Sequence, residues 1–368
     1  MKKITAGMIC FLMILMSIHV SYAGFHEGEY EGVEWCYDNG VMTFQGGDYM
    51  PQDEDVPWYD YIEGTRKLII KDSFPKRDDE SAFEGYTILR EVVFDTNYCW
   101  ARFMDSPNLK TARYTTEFPF FMGAAYINCR LDKVFFDNPK ANYVVRNNML
   151  MNKDQTELYY YLGSRTWDVT VPDGIEIIHE GAFAGCYAKA VKLPSTLRVI
   201  EGWAFANSSI RSITIPASCQ RIGACAFSGC IGLREVRFLC DHVDFYADTY
   251  GFAPGAISRK GGYTFSGCTL LREITLPGCD EIPDGFFHGC TDLRRVYFGD
   301  GTKKLTSNPE ESLIFYQCKK LQKVYIPDNM EFEKITFKDA YYPTILCHKD
   351  SKAAKLVYKY QMKYEYIE

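Results

Sequence analysis

The sequence lacks the motifs by which common catalytic and nucleotide-binding sites are recognised. It contains no G-x-S-x-G nucleophile elbow, no H-E-x-x-H zinc motif, no phosphate-binding loop and no Cys-His protease signature. Its formal net charge is −7, which argues against generic nucleic-acid binding. Although 48 acidic residues offer many carboxylate pairings, nothing singles one out. We therefore expect no catalytic residues, no cofactor and no metal site, and an enzyme is the least favoured class.

Long apolar runs are absent after the first 23 residues. Lys2 and Lys3 precede a mostly apolar run from Met8 to Met16, and Ser21-Tyr22-Ala23 has small residues where signal peptidase cleaves. The apolar run is too short for a retained transmembrane helix. The pattern predicts a signal peptide cleaved after Ala23 and no transmembrane segment thereafter. The expected location is extracellular or at the cell surface, with the periplasm as an alternative.

A phenylalanine recurs along the chain, at an interval of 22 residues in three of five cases. The recurring residues are Phe183, Phe205, Phe227, Phe265, Phe287 and Phe315. This period lies within the range of leucine-rich repeats, and no unit of that length can bury its apolar face alone. The repeat therefore predicts coils that stack around one continuous core, at about 4.8 Å per coil where their strands pair.

A cysteine or serine follows each of these phenylalanines by three residues, and a strand-like segment comes shortly afterwards. The small residues are Cys186, Ser208, Cys230, Cys268, Cys290 and Cys318. Three degenerate units, which begin at Ser81, Ala101 and Ala124, bring the count of coils to nine. In a second column, Cys219 and Cys279 alternate with Ile and Leu, which predicts buried thiols that act as small hydrophobes. Because stacked coils bring column neighbours close together, a disulfide staple or a metal site is the alternative.

The repeat unit AF-x-G-C-x-x-L-x-x-V, with "GAF" at Gly181 to Phe183, resembles the BspA-like leucine-rich repeat family over essentially the whole mature chain. The resemblance implies an α/β-type repeat solenoid of about 22-residue coils, with a parallel β-sheet on one face. It also implies an N-terminal β module and a C-terminal cap of a helix and a strand. Proteins of this family are secreted or displayed at the surface for adhesion or ligand binding, and they share no catalytic activity.

The resemblance and the repeat together divide the chain into six segments. We expect Asp350 or Ser351 to cap the helix of the last segment, with an apolar stripe that includes Ala353 and Val357. The expected segments are the signal peptide (1–23), an N-terminal β module (24–80), the first degenerate coils (81–136), a hairpin insertion (137–171), the main repeat block (172–326, with an insert at 239–263) and the cap (327–368).

A column of cations occupies the second position of the predicted strand segments. Its members are Arg90, Lys110, Lys189, Arg211, Arg234, Arg272 and Arg294. Three positions further on, Tyr297 and Tyr325 fall on the outward side of their strands. Cations beside exposed aromatic rings predict a surface for an acidic glycan or an acidic protein. The alternative is an ordinary solvent-facing sheet, whose cations pair with neighbours such as Glu235 and Glu273.

The insert at 239–263 makes one coil 16 residues longer than the others. Insertions in solenoids often carry function, so its aromatic residues Phe245 and Tyr246 are candidate ligand contacts, together with Tyr250 and Phe252. Asp241, His242, Asp244 and Asp248 match no known metal spacing. The insert is therefore either a loop that contacts a ligand or a folded segment without a binding role.

The sequence thus predicts a non-catalytic protein that binds through its exposed strand face. The expected partner is a host or bacterial surface protein or glycan, and not a nucleic acid. The alternative function is a structural protein of the cell envelope, which assembles with its own copies or with a neighbouring subunit.

Overall fold

The computed structural model describes residues 24–47, 56–71, 83, 86–96, 103, 106–117, 126, 129, 131–163, 168–246, 262–306 and 312–368. It is a β-solenoid of about 12 coils, joined by parallel strand ladders and containing very little helix. The predicted fold class is therefore confirmed. The proposed signal peptide, residues 1–23, lies outside the described residues, and no helix within them is long and apolar enough to span a membrane.

The N-terminal sheet has seven strands in chain order. They are β1 (Phe25–Tyr30), β2 (Val33–Asp38), β3 (Val41–Gly46), β4 (Lys67–Lys71), β5 (Glu91–Asp95), β6 (Thr111–Tyr114) and β7 (Lys133–Phe136). β1 to β3 are antiparallel, and the turn between β2 and β3 has positive φ at Asn39 and Gly40, as a type I′ turn requires. From β3 onwards the pairing is parallel, because each further strand belongs to a new coil.

A hairpin separates this sheet from the main repeat block. It consists of β8 (Tyr143–Arg146), β9 (Met149–Asn152) and β10 (Glu157–Tyr161). Leu158 packs into the core of the main block, whereas Tyr160 packs into the core of the N-terminal sheet. The hairpin therefore contributes side chains to both hydrophobic clusters.

The strands expected from the repeat form two separate sheets in the main block, which together we call the outward sheet. The first piece comprises β11 (Val169–Thr170), β13 (Ala190–Lys192), β15 (Ser212–Ile215) and β17 (Glu235–Phe238). The second comprises β19 (Glu273–Thr275), β21 (Arg295–Tyr297), β23 (Lys323–Tyr325), β24 (Thr344–His348) and β25 (Tyr364–Ile367). All nine strand segments expected from the repeat are present, as β5, β6, β7, β13, β15, β17, β19, β21 and β23.

Each coil of the main block also contributes a second, shorter strand, which the sequence did not reveal. These strands are β12 (Ile177–Ile178), β14 (Val199–Ile200), β16 (Arg221–Gly223), β18 (Asp244–Tyr246), β20 (Glu281–Ile282) and β22 (Lys304–Leu305). The first four extend the hairpin sheet in parallel register. All six have only two or three residues, which is too short for an alternating pattern to stand out.

The recurring phenylalanines form a ladder in the core. Phe183, Phe205 and Phe227 are fully or almost fully buried, and the ring centroids of successive coils lie 5.0 and 5.3 Å apart in stacked orientation. Burial of one such ring contributes roughly 1.5–3 kcal/mol. The repeated ring is therefore a main source of cohesion between neighbouring coils.

The C-terminal cap contains the one α-helix among the described residues, α1 (Lys352–Lys359). The Ser351 hydroxyl accepts a hydrogen bond from the Ala354 amide at 2.9 Å and so caps the helix. Ala353 and Val357 are fully buried. β25 follows the helix and pairs with β24, which adds one more strand after the last repeat unit.

Candidate ligand-binding face

The backbone of the stacked coils places the predicted cation column in register. The Arg211 amide donates to the Lys189 carbonyl at 2.8 Å, and the Arg234 amide donates to the Arg211 carbonyl at 2.9 Å. Successive coils therefore present one cation each, in a row along the stacking direction. Arg211 and Arg234 are exposed, and Lys189 is half-buried.

A second outward row runs beside the first, three residues further along each strand. It contains Lys192 on β13, Thr214 on β15 and Arg237 on β17, and all three side chains are exposed. Thr214 and Arg237 are direct partners in the parallel ladder. Their orientation follows from strand alternation, because Ile213 and Val236, the preceding residues, point into the core.

Five cations on this part of the sheet have no ion-pair partner within 4.0 Å among the described residues. They are Lys189, Lys192, Arg211, Arg234 and Arg237. Glu235 is the one carboxylate on the described outward face of β13, β15 and β17. We call these five residues the cationic patch, and it retains a clear excess of positive charge.

The column differs in the next coils, because the Asp292 carboxylate pairs with its cations. One Asp292 oxygen lies 2.8 Å from Arg272 Nε, and the other lies 2.7 Å from Lys320 Nζ and 3.7 Å from Arg294. Hydrogen bonds from Lys320 and Arg272 lower the pKa of Asp292 to about 2. Arg272 and Arg294 therefore fit the alternative given above, an ordinary solvent-facing sheet, since their charges are already paired with a carboxylate.

The remaining members of the predicted column lie in the N-terminal sheet. Arg90 is exposed, and Lys110 is half-buried. Their amides continue the same register, since the Lys110 amide donates to the Arg90 carbonyl at 3.0 Å. The hairpin separates them from the cationic patch, so the structure does not assemble all seven cations into one surface.

The outward sheet is interrupted between β17 and β19. No ladder and no backbone hydrogen bond joins these two strands among the described residues. The two coils remain connected elsewhere, for instance by the Phe227 amide to the Thr264 carbonyl at 2.9 Å and the Gly278 amide to the Asp241 carbonyl at 2.9 Å. The coils thus separate on one face only, which opens a groove next to the cationic patch.

The groove has a volume of about 850 Å³, within the usual size range of ligand pockets. Its apolar floor includes Val236 and Ile274. The charged residues that line it are Arg234, Arg237, Arg272, Glu235, Asp241, Glu273 and Asp300. Donors and acceptors therefore face the same opening, which suits a ligand that offers both kinds of group.

Two tyrosines lie on the other side of the groove. Tyr297 and Tyr325 are direct partners in the ladder between β21 and β23, and both are half-buried. The Tyr325 hydroxyl donates to Asp300 at 3.2 Å. Burial and the neighbouring Asp300 carboxylate raise the pKa of Tyr325 to about 12, so its hydroxyl stays protonated.

The structure corrects the expectation for Phe245. Its ring is 7% exposed and packs against Phe286 at 4.8 Å, so it belongs to the core and is not available as an exposed anchor. Tyr246 lies under the Arg221 guanidinium at 4.2 Å, on the ladder of short strands between β16 and β18 and not beside the cation column. Tyr250 and Phe252 lie outside the described residues. No group of side chains that could hold a metal ion occurs in the described part of the chain.

Sequence reasoning missed an ionised cluster on the ladder that the hairpin strand β10 forms with the short strands β12 and β14. His179 lies 3.0 Å from Glu201 through Nδ1 and 2.9 Å from Glu157 through Nε2, and Tyr159 donates to Glu157 at 2.6 Å. Burial would lower the pKa of His179, but hydrogen bonds and charges from both glutamates raise it overall. Glu157, His179 and Glu201 follow one another at intervals of 22 residues, so the repeat period could have revealed the cluster.

The family model for the BspA type leucine-rich repeat region matches residues 155–250 and 252–346, with six copies of the repeat. The chain belongs to the BspA-type leucine-rich repeat family. The resemblance read from the repeat is thereby confirmed. No curated protein sequence matches the chain at significant similarity.

Several solved structures resemble this solenoid. A leucine-rich repeat protein from Eubacterium ventriosum is 17% identical, with a TM-score of 0.43 and coverage of 83% of this chain and 91% of that one. The pneumococcal vaccine antigen PcpA is 12% identical, with a TM-score of 0.46 and coverage of 94% and 100%. The leucine-rich repeat protein of T. pallidum is 20% identical, with a TM-score of 0.40 and coverage of 61% and 94%.

Proposed function

We propose that this chain is a non-catalytic binding protein that recognises an acidic partner through its outward sheet face. The observation that carries the proposal is the cationic patch, whose five side chains lie on, or directly before, the stacked strands β13, β15 and β17 and have no ion-pair partners among the described residues. Fixed like charges repel one another, and an acidic partner relieves that repulsion on binding. The groove beside the patch supplies a concave surface for the same partner.

The proposed location is outside the cell or at its surface. It is supported by the signal-peptide pattern of residues 1–23 and by what the family resemblance implies for secretion. Expression in a secreting bacterial host, followed by N-terminal sequencing, tests this part. A mature chain that begins at Gly24 agrees with the proposal, whereas retention of Met1 on a cytoplasmic protein contradicts it.

The binding proposal is tested with a triple charge reversal, Arg211→Glu, Arg234→Glu and Arg237→Glu. Arg272 and Arg294 are left unchanged, because Asp292 already pairs with them. The wild type is screened by surface plasmon resonance against acidic proteins and acidic glycans at two salt concentrations. We expect a salt-sensitive partner whose affinity falls at least tenfold in the variant, which is about 1.4 kcal/mol.

The matched control reverses three exposed lysines on the C-terminal cap, Lys349→Glu, Lys355→Glu and Lys363→Glu. It changes the net charge by the same amount but leaves the cationic patch intact. Binding should persist in this control, and both variants should retain the wild-type circular dichroism spectrum. Equal loss in the two variants would mean that net charge, and not the patch, determines binding.

A further inference from the structure

The outward face of the main block presents three different surfaces in one line along the stacking direction. The cationic patch lies on β13 to β17, the mixed-charge groove lies between β17 and β19, and the two tyrosines lie on β21 and β23. At about 4.8 Å per paired strand, and with no ladder across the groove, the line from β13 to β23 is at least roughly 24 Å long, and it is two side-chain rows wide. A long and narrow ligand fits this shape better than a broad one.

We infer that the ligand is a linear glycan that carries carboxylate groups and lies along the stacking direction of the coils. This inference rests on the proposed binding function and names the class of partner. Arginine guanidinium groups match carboxylates with two parallel hydrogen bonds, so Arg211, Arg234 and Arg237 bind the uronate groups. One cation per coil in the first row gives a regular series of charges along the chain of sugars.

The groove selects a glycan over an acidic polypeptide. Glu235 and Asp241 line it and have no hydrogen-bond or ion-pair partner for their carboxylates among the described residues. These carboxylates accept hydrogen bonds from sugar hydroxyls, which both donate and accept. Each sugar ring offers several hydroxyl donors to these carboxylates, whereas an extended acidic peptide offers only one backbone N–H per residue.

Tyr297 and Tyr325 provide aromatic contacts for the sugar rings of the proposed glycan. Tyr297 and Tyr325 are adjacent in the ladder, and their half-buried rings are held on regular strands. The hydrogen bond from Tyr325 to Asp300 fixes one of these rings at the groove's edge. Aromatic faces of this kind pack against the apolar C–H face of a pyranose ring, which a carboxylate-rich peptide does not offer.

Calorimetric titration with three probes tests the inference: oligogalacturonates of defined length, the same oligomers with their carboxyl groups reduced, and poly-glutamate of matched charge. We expect the affinity for oligogalacturonate to rise with length and to level off only when the oligomer spans the line of strands, beyond roughly 24 Å. The reduced oligomers should bind at least tenfold more weakly. Poly-glutamate should bind more weakly than the oligogalacturonate of equal charge.

Two double variants separate the glycan from a polypeptide. Glu235→Ala with Asp241→Ala should weaken oligogalacturonate binding severalfold relative to poly-glutamate binding, since acceptors for sugar hydroxyls are lost while the relief of repulsion is common to both ligands. Tyr297→Ala with Tyr325→Ala should weaken only the glycan. The matched control, Tyr358→Ala with Tyr366→Ala, removes two exposed tyrosines of the cap and should change neither affinity.

The outcomes distinguish this inference from the proposed function. If poly-glutamate binds as tightly as the oligogalacturonates and ignores the loss of Tyr297 and Tyr325, an acidic polypeptide is the partner and the glycan inference fails, while acidic binding stands. If neither probe binds the folded protein, the glycan inference also fails. In that case the proposed function is decided by the screen that compares the wild type with the triple charge-reversal variant.

Discussion

At the scale of single residues, cysteine serves in this protein as a small buried group that also donates a hydrogen bond. The Cys230 thiol lies 3.0 Å from the Phe205 carbonyl, and the Cys290 thiol lies 3.0 Å from the Phe265 carbonyl. All twelve cysteines that the structure describes are free thiols. Cys268 and Cys318 contact the preceding coil in the same way, whereas the Ser208 hydroxyl lies 3.3 Å from the Cys230 thiol of the next coil.

The thiol column should resist alkylation in the native protein. Burial raises the pKa of Cys230 to about 11 and that of Cys318 to about 12, so almost no reactive thiolate is present at pH 8. Iodoacetamide labelling followed by peptide mass spectrometry should therefore modify these residues only after denaturation. A disulfide between column members, or rapid native labelling of Cys230, would contradict the free, buried arrangement.

His179 is the residue whose charge depends most directly on its neighbours. Both ring nitrogens lie within hydrogen-bond distance of a carboxylate oxygen, and only the protonated ring has two N–H donors. The ring also stacks on Tyr159, with centroids 4.2 Å apart. The cluster consequently ties the hairpin strand β10 to β12 and to the turn after β14.

Stability should depend on pH through this cluster. Because the folded pKa of His179 is raised above 6.5, its contribution is complete below that pH and is lost as pH rises through the folded value. The folded pKa values of Glu157 and Glu201 are lowered, so their contributions are present above pH 4.5 and are lost as pH falls through the folded values. Together the shifts predict a maximum contribution between about pH 4.5 and 6.5.

Urea unfolding across pH 4 to 9 measures this effect in the wild type and in His179→Gln. The variant should lose about 1.5–3 kcal/mol near pH 6, the range for hydrogen bonds to charged groups. It should also lose the decline in stability that the wild type shows towards alkaline pH. A constant difference between the two proteins over the whole range would show that protonation of His179 does not contribute.

At the scale of the coil, one left-handed position shapes the turn after each core phenylalanine. The residue two positions after the ring has positive φ in six coils, and glycine occupies four of them. These residues are Gly185, Asn207, Gly229, Gly267, Gly289 and Gln317. Residues with a Cβ atom are strained in this conformation by roughly 1–2 kcal/mol, which explains the glycine of the repeat unit.

Exchanges at this position should change stability in opposite directions. Gly229→Ala should cost about 1–2 kcal/mol, because φ is +69° and the added Cβ would lie 2.0 Å from Asn207 Oδ1. Gln317→Gly should stabilise the protein by roughly 0.5–1 kcal/mol, since strain is relieved at some cost in chain entropy. Gly232→Ala, in the same coil but without a positive φ, is the control and should stay within about 0.5 kcal/mol. Thermal unfolding measures all three, and a destabilised Gln317→Gly would disprove the strain argument.

At the scale of the whole molecule, the described residues form two hydrophobic clusters. One comprises the N-terminal sheet and includes Phe103, and the other runs through the main block and includes Phe287. In a solenoid each coil contacts mainly its neighbours, so stability is roughly a sum of local terms and a defect stays local. The hairpin, with Leu158 in one cluster and Tyr160 in the other, is the element that couples them.

Phe103→Ala and Phe287→Ala should therefore have separate effects. Each truncation costs roughly 3–5 kcal/mol in its own cluster. Hydrogen exchange should show that Phe287→Ala lowers amide protection in β19 to β23 while β5 to β7 keep theirs, and Phe103→Ala should do the reverse. Uniform loss of protection along the chain in either variant would show that the two clusters unfold as one unit.

The sequence by itself determined the solenoid, because one phenylalanine and one strand per coil repeat with a period that a stacked core requires. It also predicted the cation column, since the repeat period brings one cation of each coil to the same position directly before its strand. Only the tertiary structure decided which cations remain unpaired, because Asp292 pairs with Arg272 and Arg294 from a neighbouring turn at distances of 2.8 and 3.7 Å. The groove and the burial of Phe245 were likewise beyond sequence reasoning. They depend on how two coils of unequal length pack against each other, and that packing is set by lateral contacts that no local pattern encodes.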